Sequence, residues 1–305
     1  MAGMINNFYY GKAGRADYTP DQMPTTRVQL FFEMLRIHFS GLFGMNLAYL
    51  LFCLPAIAWA MLNLLTLNAQ VELGSSPEVL GGFVQAFLVI MIPCLGLCGV
   101  GAPGLMYVMR NWARDQHAFT LSDFKDHIKG NWKQGLCVGL INGFMTLTAY
   151  VGYIFYGQQS AQSIAFVVPQ MLTLMLCLFW WMINMVIYPM MVTYDMKLIQ
   201  LIRNSAIIVL ARLPWALLIF VISLLPAIAA IFSFFFLSNL IVLLVVALLY
   251  LLVGFALTGL GYASFANATF DKLINPRIEG APVGMGMRDP SLDDDDEEEE
   301  EGQQA

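Results

Sequence analysis

The chain has 305 residues, of which 59% are hydrophobic and only 12% charged. A soluble domain carries roughly 25% charged residues, so an ordinary water-soluble globule is excluded. The formal net charge of −6 comes from an unbroken run of Asp and Glu at 293–301, and the chain without that run is mildly basic.

Residues 1–24 show no periodicity and read as a loose arm. From Thr26, the apolar Val28, Leu30, Phe31, Phe32, Met34, Leu35 and Phe39 alternate with Arg27, Gln29, Glu33, Arg36 and His38. That pattern predicts an amphipathic helix in the membrane interface, within an N-terminal segment 1–40.

Four stretches then lack Asp, Glu, Lys and Arg: 37–71, 79–109, 134–194 and 213–270. A bilayer core takes roughly 20 helical residues per crossing, so the two longer stretches must each hold two. The expected fold is all-α, a polytopic membrane bundle of six spans occupying 41–275. The crossings fall near 42–67, 82–108, 135–156, 165–193, 213–236 and 240–266, with Ser238-Asn239 as the polar break between the last two.

All 15 Lys and Arg lie before the first span, between the second and third, between the fourth and fifth, or after the sixth. The remaining connections carry only Glu72 and Glu78. Basic residues resist translocation, so both termini are expected in the cytoplasm. The cytoplasmic connection 107–134 predicts a further helix capped by Ser122, with Asp123 and Asp126 in its first turn and Lys129 and Lys133 near its end, the signs the helix dipole favours. Trp112 and Trp132 flank it, as aromatics do at headgroup level. Asp123 and His127 share a helix face but lack the further ligands of a metal site.

Within the spans, Gly135, Gly139 and Gly143 recur every four residues and let another helix approach closely. Pro55, Pro93, Pro169 and Pro226 each remove a backbone hydrogen bond and predict a kink or break. The Gly/Pro-rich stretch 94–104 predicts unwinding of the second span near its cytoplasmic end. The five cysteines fall inside spans and read as small apolar side chains. After Pro276 a disordered acidic tail, 276–305, is expected.

No Asp, Glu, Lys, Arg or His falls within any span, and no hydroxyl has a basic partner. An enzyme, a carboxylate-based proton carrier and an ATPase are therefore not expected, nor is any cofactor, metal or nucleic-acid partner. Asn142, Gln170 and Asn184 are the buried amides that would either line a polar path or join helices.

Three segments carry a resemblance. The first is Asn46-Leu-Ala-Tyr-Leu-Leu-Phe-Cys-Leu-Pro55. The second is Gly101-Ala-Pro-Gly-Leu-Met-Tyr107-Val-Met-Arg110, leading to Ser122-Asp-Phe124 and Asn131-Trp-Lys133. The third is Tyr188-Pro189 through Asp195-Met-Lys197, followed by Arg203-Asn204 and Ala211-Arg-Leu-Pro214. In their order they resemble the YesL family, bacterial membrane proteins of unknown biochemical role. Its Leu-Pro and Gly-x-Pro elements stand farther apart here than in the family, and the acidic tail is foreign to it. The resemblance implies residence in the bacterial cell membrane beside ABC-type carbohydrate uptake systems.

The expected function is that of a non-enzymatic multi-pass membrane protein, an accessory to such an importer. Besides the lipid bilayer, ABC transporter subunits are the expected partners, and the sequence fixes no oligomeric state. The expected contact residues are Asp123, Phe124, Asn131, Lys133, Asp195, Lys197 and Asn204 on the two larger inner connections. The alternative is a channel or facilitator for a small polar solute passing Asn142, Gln170 and Asn184.

Overall fold

Thr26 accepts a hydrogen bond from the Gln29 amide while the Gln29 side chain accepts from the Thr26 amide, and this reciprocal cap starts helix α1, Arg27–Ile37. The computed structural model describes residues 23–237 and 240–288, and no strand occurs among them. After a break at His38 come α2 (Phe39–Glu72), α3 (Pro77–Trp112) and α4 (Thr120–Ser160). Then follow α5 (Val167–Met191), α6 (Leu198–Ala211) and α7 (Leu213–Leu237). The last three elements are α8 (Leu240–Leu249), a π-turn at Tyr250–Gly254 and α9 (Phe255–Leu273). The arm before Met23, the break at Ser238-Asn239 and the acidic run 293–301 lie outside the described residues.

Among the described residues, five helical stretches are long and apolar enough to cross a membrane: Phe39–Glu72, Pro77–Trp112, Thr120–Ser160, Ile164–Met191 and Ile241–Arg277. A sixth arises if α6 and α7, bent by 99° at Arg212, are taken together. Pro214 explains the bend, since it lacks the N–H that would continue the α6 ladder and its ring restricts Leu213. Only 6% of the most apolar window of α2 is buried inside the protein, against 28% for α4. Apolar side chains turned outward on that scale suit hydrocarbon and not water.

The third span and the helix expected before it form one element. α4 has 41 residues, about 60 Å at 1.5 Å per residue, so its charged first turns extend well beyond the hydrocarbon. It starts at the cap position Phe119 and not at Ser122, and Asp123 Oδ2 in its first turn accepts from the Phe119 amide at 2.8 Å.

α3 also corrects an expectation. It runs unbroken through 94–104, with Pro93 and Pro103 inside it. The glycines there serve packing. Gly96 and Gly99 meet Leu136, Leu140, Gly135 and Gly139 of α4, and a Cβ at Gly143 would come within 2.6 Å of the Ile92 Cα. Here α3 and α4 approach backbone to backbone, the close contact that small residues permit. Pro169 falls in the first turn of α5, where no intrahelical partner awaits its missing N–H, so the helix tolerates it; Pro189 is the proline inside α5.

The break in the last span lies at the π-turn. A π-turn leaves backbone groups without their usual partners. Asn46 of α2, with no exposed surface, meets them: its Nδ2 donates to Tyr250 O at 3.1 Å and Leu251 O at 2.8 Å, and its Oδ1 accepts from Ala256 N at 3.0 Å. One amide thus fastens the first span to the last.

Helices α2 to α5 alternate in direction, as antiparallel contacts such as Trp59–Phe87 and Trp180–Asn142 show. The connections at 113–119 and 192–197 gather at one end with α1 and the end of α9. This is the basic end, and the core lies towards it. Met109, Met185, Ile187, Met190, Leu201, Leu260 and Phe270 are fully enclosed there. Trp112 belongs to this core, 2% exposed and stacked on His38 at 4.4 Å, rather than to the headgroup layer; Trp132 is the exposed one of the pair.

Residues 276–288, expected as the start of the tail, pack back over the basic end. The Arg288 amide donates to Pro24 O at 3.1 Å, and the Arg27 guanidinium donates to Met285 O at 3.1 Å.

Candidate functional site

A cavity of about 1040 Å³ opens between α2, α3, α5, α7 and α9. Its size follows from small side chains where helices would otherwise meet: Ala56 and Ala60 of α2, Gly99 and Ala102 of α3, and Gly259 of α9. Met91, Leu95, Met175, Leu178, Phe220 and Phe255 are among its apolar lining residues. The polar groups are Asn142, Asn184, Ser223, Thr258 and the hydroxyls of Tyr49, Tyr188, Tyr250 and Tyr262.

These polar groups are largely held by the bundle itself. Asn142 Oδ1 accepts from Trp180 Nε1 at 2.8 Å, and Asn184 Nδ2 donates to Trp180 O at 2.9 Å. The Ser223 and Tyr262 hydroxyls share a hydrogen bond of 2.8 Å. Asn184 Oδ1 is enclosed without a hydrogen-bond partner, an expensive state for a buried acceptor. Among the described residues no Asp, Glu, His, Lys or Arg lines the cavity. Its walls offer shape, apolar contact and hydrogen bonds, without an acid–base pair for proton transfer.

Two of the three amides expected on a polar path, Asn142 and Asn184, are brought together at this cavity. Gln170 is not among its lining residues: its Nε2 donates to Tyr153 O at 3.1 Å and packs over Gly157, joining α4 and α5.

A second polar assembly occupies the basic end. Arg27 forms an ion pair with Asp271. The other Asp271 contacts are Asn275 Nδ2 at 2.6 Å and the Gly284 amide at 3.1 Å. Tyr194 donates to Asn275 Oδ1 at 2.7 Å. Arg114 Nε donates to Asn267 Oδ1 at 3.0 Å, and Asn267 Nδ2 returns a bond to Arg110 O at 3.3 Å. Arg110 donates to Val192 O and Asn111 Oδ1 at 2.7 and 2.6 Å, and lies over the Tyr107 ring. Burial pulls the Arg114 guanidinium below its ordinary range, an effect partly opposed by the Asp271 charge. Burial likewise lowers Arg27, again opposed by Asp271, and pushes the Tyr194 hydroxyl up to about 12.

The expected partner-contact residues divide. Phe124 is buried beneath Gly104, and Asn131 Nδ2 turns back to His127 O at 3.1 Å, so both serve the bundle. Asp123 holds the start of α4 through its bond to the Phe119 amide. The remaining four lie where the two inner connections meet: Gln134 Nε2, beside Lys133, donates to Met196 O at 3.0 Å, and Asn204 Nδ2 contacts Met196 Sδ at 3.4 Å. Asp195 and Lys197, on either side of Met196, are exposed.

Sequence reasoning missed Arg27, Arg110, Arg114, Asn267 and Asp271 as a unit. Arg110 in the last turn of α3 and Arg114 just beyond its end stand four residues apart, a spacing that would put both on one face of a continuing helix, and this was the available signal.

Residues 42–153 match the family model described as "Protein of unknown function, DUF624". The match spans nearly all of α2, then α3 and most of α4, hence the glycine seam and one side of the cavity. No curated protein and no solved structure matches the chain.

Proposed function

We propose that this chain is a non-enzymatic membrane protein that binds an amphipathic small molecule within its bundle and serves as an accessory beside an ABC-type carbohydrate importer in the bacterial cell membrane. The cavity carries the binding part of this reading. Its volume of about 1040 Å³ is that of a site for a sizeable organic ligand, near the upper end of the roughly 300–1,000 Å³ range. An apolar body would lie against Met91, Leu95, Met175 and Phe220, with a polar end towards the Asn142, Asn184 and Tyr188 side.

The same walls weigh against a path for a small polar solute. A sugar stripped of water needs a partner for each hydroxyl, and each unpaired group costs about 1–3 kcal/mol. The importer association is supported by the YesL resemblance, and the exposed surface around Lys133, Asp195, Lys197 and Asn204 is where subunits would dock. The one-sided basic residues support cytoplasmic termini.

Intact-protein mass spectrometry after mild extraction from native membranes tests the cavity. The native chain should retain a small molecule that the filled variant Ala56→Trp does not. Identical spectra for the two would refute cavity binding. Affinity purification tests the association separately: transporter subunits should co-purify, and repeated recovery of the chain alone would remove that part. Sugar flux into vesicles that Asn184→Leu abolishes would instead establish a facilitator.

A further inference from the structure

Among the described residues Arg27 pairs directly with Asp271, whose charge also acts on Arg114, and Arg110 lies close to Arg114. Arg110 and Arg114 find only neutral oxygens and the Tyr107 ring among the described residues. Arg114 is 9% exposed, and its Nη2 is enclosed with no hydrogen-bond partner. A buried guanidinium without a counter-ion is strongly disfavoured, because desolvation is not repaid by neutral acceptors. Asp115, the next residue, does not supply the missing charge. Burial and the nearby Glu33 push its carboxyl up, the opposite of what an arginine partner would do.

We propose that Arg110 and Arg114, beside Arg27 and Tyr194, form a binding site for a phosphate group. Two neighbouring guanidiniums that make no direct ion pair among the described residues match a phosphate better than a carboxylate, since a phosphate monoester brings nearly two negative charges and three acceptor oxygens. A lipid phosphodiester brings one charge and two non-ester acceptor oxygens, enough for a bidentate guanidinium contact. The backbone of 275–288 covers the site: Gly284 N and Met285 O hold Asp271 and Arg27. Gly286 has φ +77°, and a Cβ there would stand 2.9 Å from Arg114 O. This cover touches the cluster through the Gly284 and Met285 backbone and the Asn275 side chain, and it must lift for a phosphate to reach Arg114 Nη2. The site is separate from the intramembrane cavity, and nothing in it depends on what the cavity holds.

The full chain in nanodiscs provides the test, with the thermal midpoint as readout. One arm uses neutral phosphatidylcholine discs titrated with inorganic phosphate against chloride at equal ionic strength. The other compares those discs with discs containing phosphatidylglycerol. A rise with phosphate identifies a soluble source, and a rise confined to phosphatidylglycerol identifies a lipid. Arg114→Gln should weaken the response about tenfold or more, as expected for losing charge-assisted bonds worth about 1.5–3 kcal/mol. Lys129→Gln, an exposed basic residue of α4, should leave it unchanged. No rise in either arm, or an equal rise in Arg114→Gln, overturns the proposal. Should Arg114→Gln fail to fold, Arg114→Lys keeps the charge without the planar fork and should retain only part of the response; a full response there also overturns it. If neither variant folds, the two arms on the native chain decide.

Discussion

In α2 every buried residue, Leu42, Met45, Asn46, Leu50 and Cys53, lies in the half nearer the basic end, and none from Leu54 to Glu72 is buried. α3 repeats the division in reverse, with no buried residue before Ile92 and a nearly continuous series from Gly99 to Trp112. In α5 the buried residues run from Trp180 to Met191, with Gln170 alone before them. One half of the bundle is therefore a packed protein interior. The other is a set of helices whose side chains look mainly to lipid. Packing carries the stability of the first half, and the cavity runs from that half into the second, lined by Gly99, Ala102 and Tyr188 in one and by Ala60, Met91 and Leu174 in the other.

The largest expected effect comes from the glycine seam. Gly139→Leu drives a branched side chain into the Leu95 carbonyl and the Gly96 backbone, where no flexible neighbour can yield. It should cost more than about 3 kcal/mol, because overpacking against backbone cannot relax, and abolish the folded peak in size-exclusion chromatography. Gly82→Leu in the open half meets nothing within 4 Å. Its cost should be under about 0.5 kcal/mol, and added helix propensity can offset even that. Equal behaviour of the two variants would erase the distinction between the halves.

A middle-sized effect belongs to the buried amides. Asn46→Leu orphans Tyr250 O, Leu251 O and Ala256 N at the π-turn, an expected loss of about 1–3 kcal/mol. Asn63→Leu removes one bond to Trp59 O within its own helix and should cost no more than about 0.5 kcal/mol. Thermal midpoints in one detergent compare them directly. A milder Asn46 variant would mean that the π-turn finds other partners.

The spans were legible because the sequence marks them by omission: charge stops at Arg36 and resumes at Glu72, and so on along the chain. The α4 side of the seam was legible too, since a four-residue glycine repeat has one face whatever it meets. Its partner was not, and the glycines of 94–104 suggested a break when they mark contact. Asn46 stood among several polar residues in spans; nothing local shows that its partners are backbone groups on the last helix. The arginines were readable as a sum that orients the chain. Their meeting with Asp271 joins α1, α3 and α9, and pairings over such separations leave no trace in one sequence. Residues 276–288 looked like tail because Gly and Pro dominate them, although positive φ at Gly280, Gly284 and Gly286 is what their folded path uses.

The smallest effect is a pH slope, and it too should belong to the packed half. His38 stacks on Trp112 and is half-buried; desolvation first, and then the nearby His117, lower its pKa from 6.5. The folded protein therefore resists protonation that the unfolded chain accepts. The stability tied to neutral His38 is complete above about pH 6.5, and it declines as pH falls towards the folded value, where the imidazole finally charges. Half the ring is solvated, so the change is modest. His38→Phe preserves an aromatic stack and cannot titrate, so the midpoint should fall less between about pH 7 and pH 5 than in the native chain. The described residues of the open half contain no histidine. An unchanged slope in His38→Phe would show that the Trp112 stack tolerates a charged imidazole.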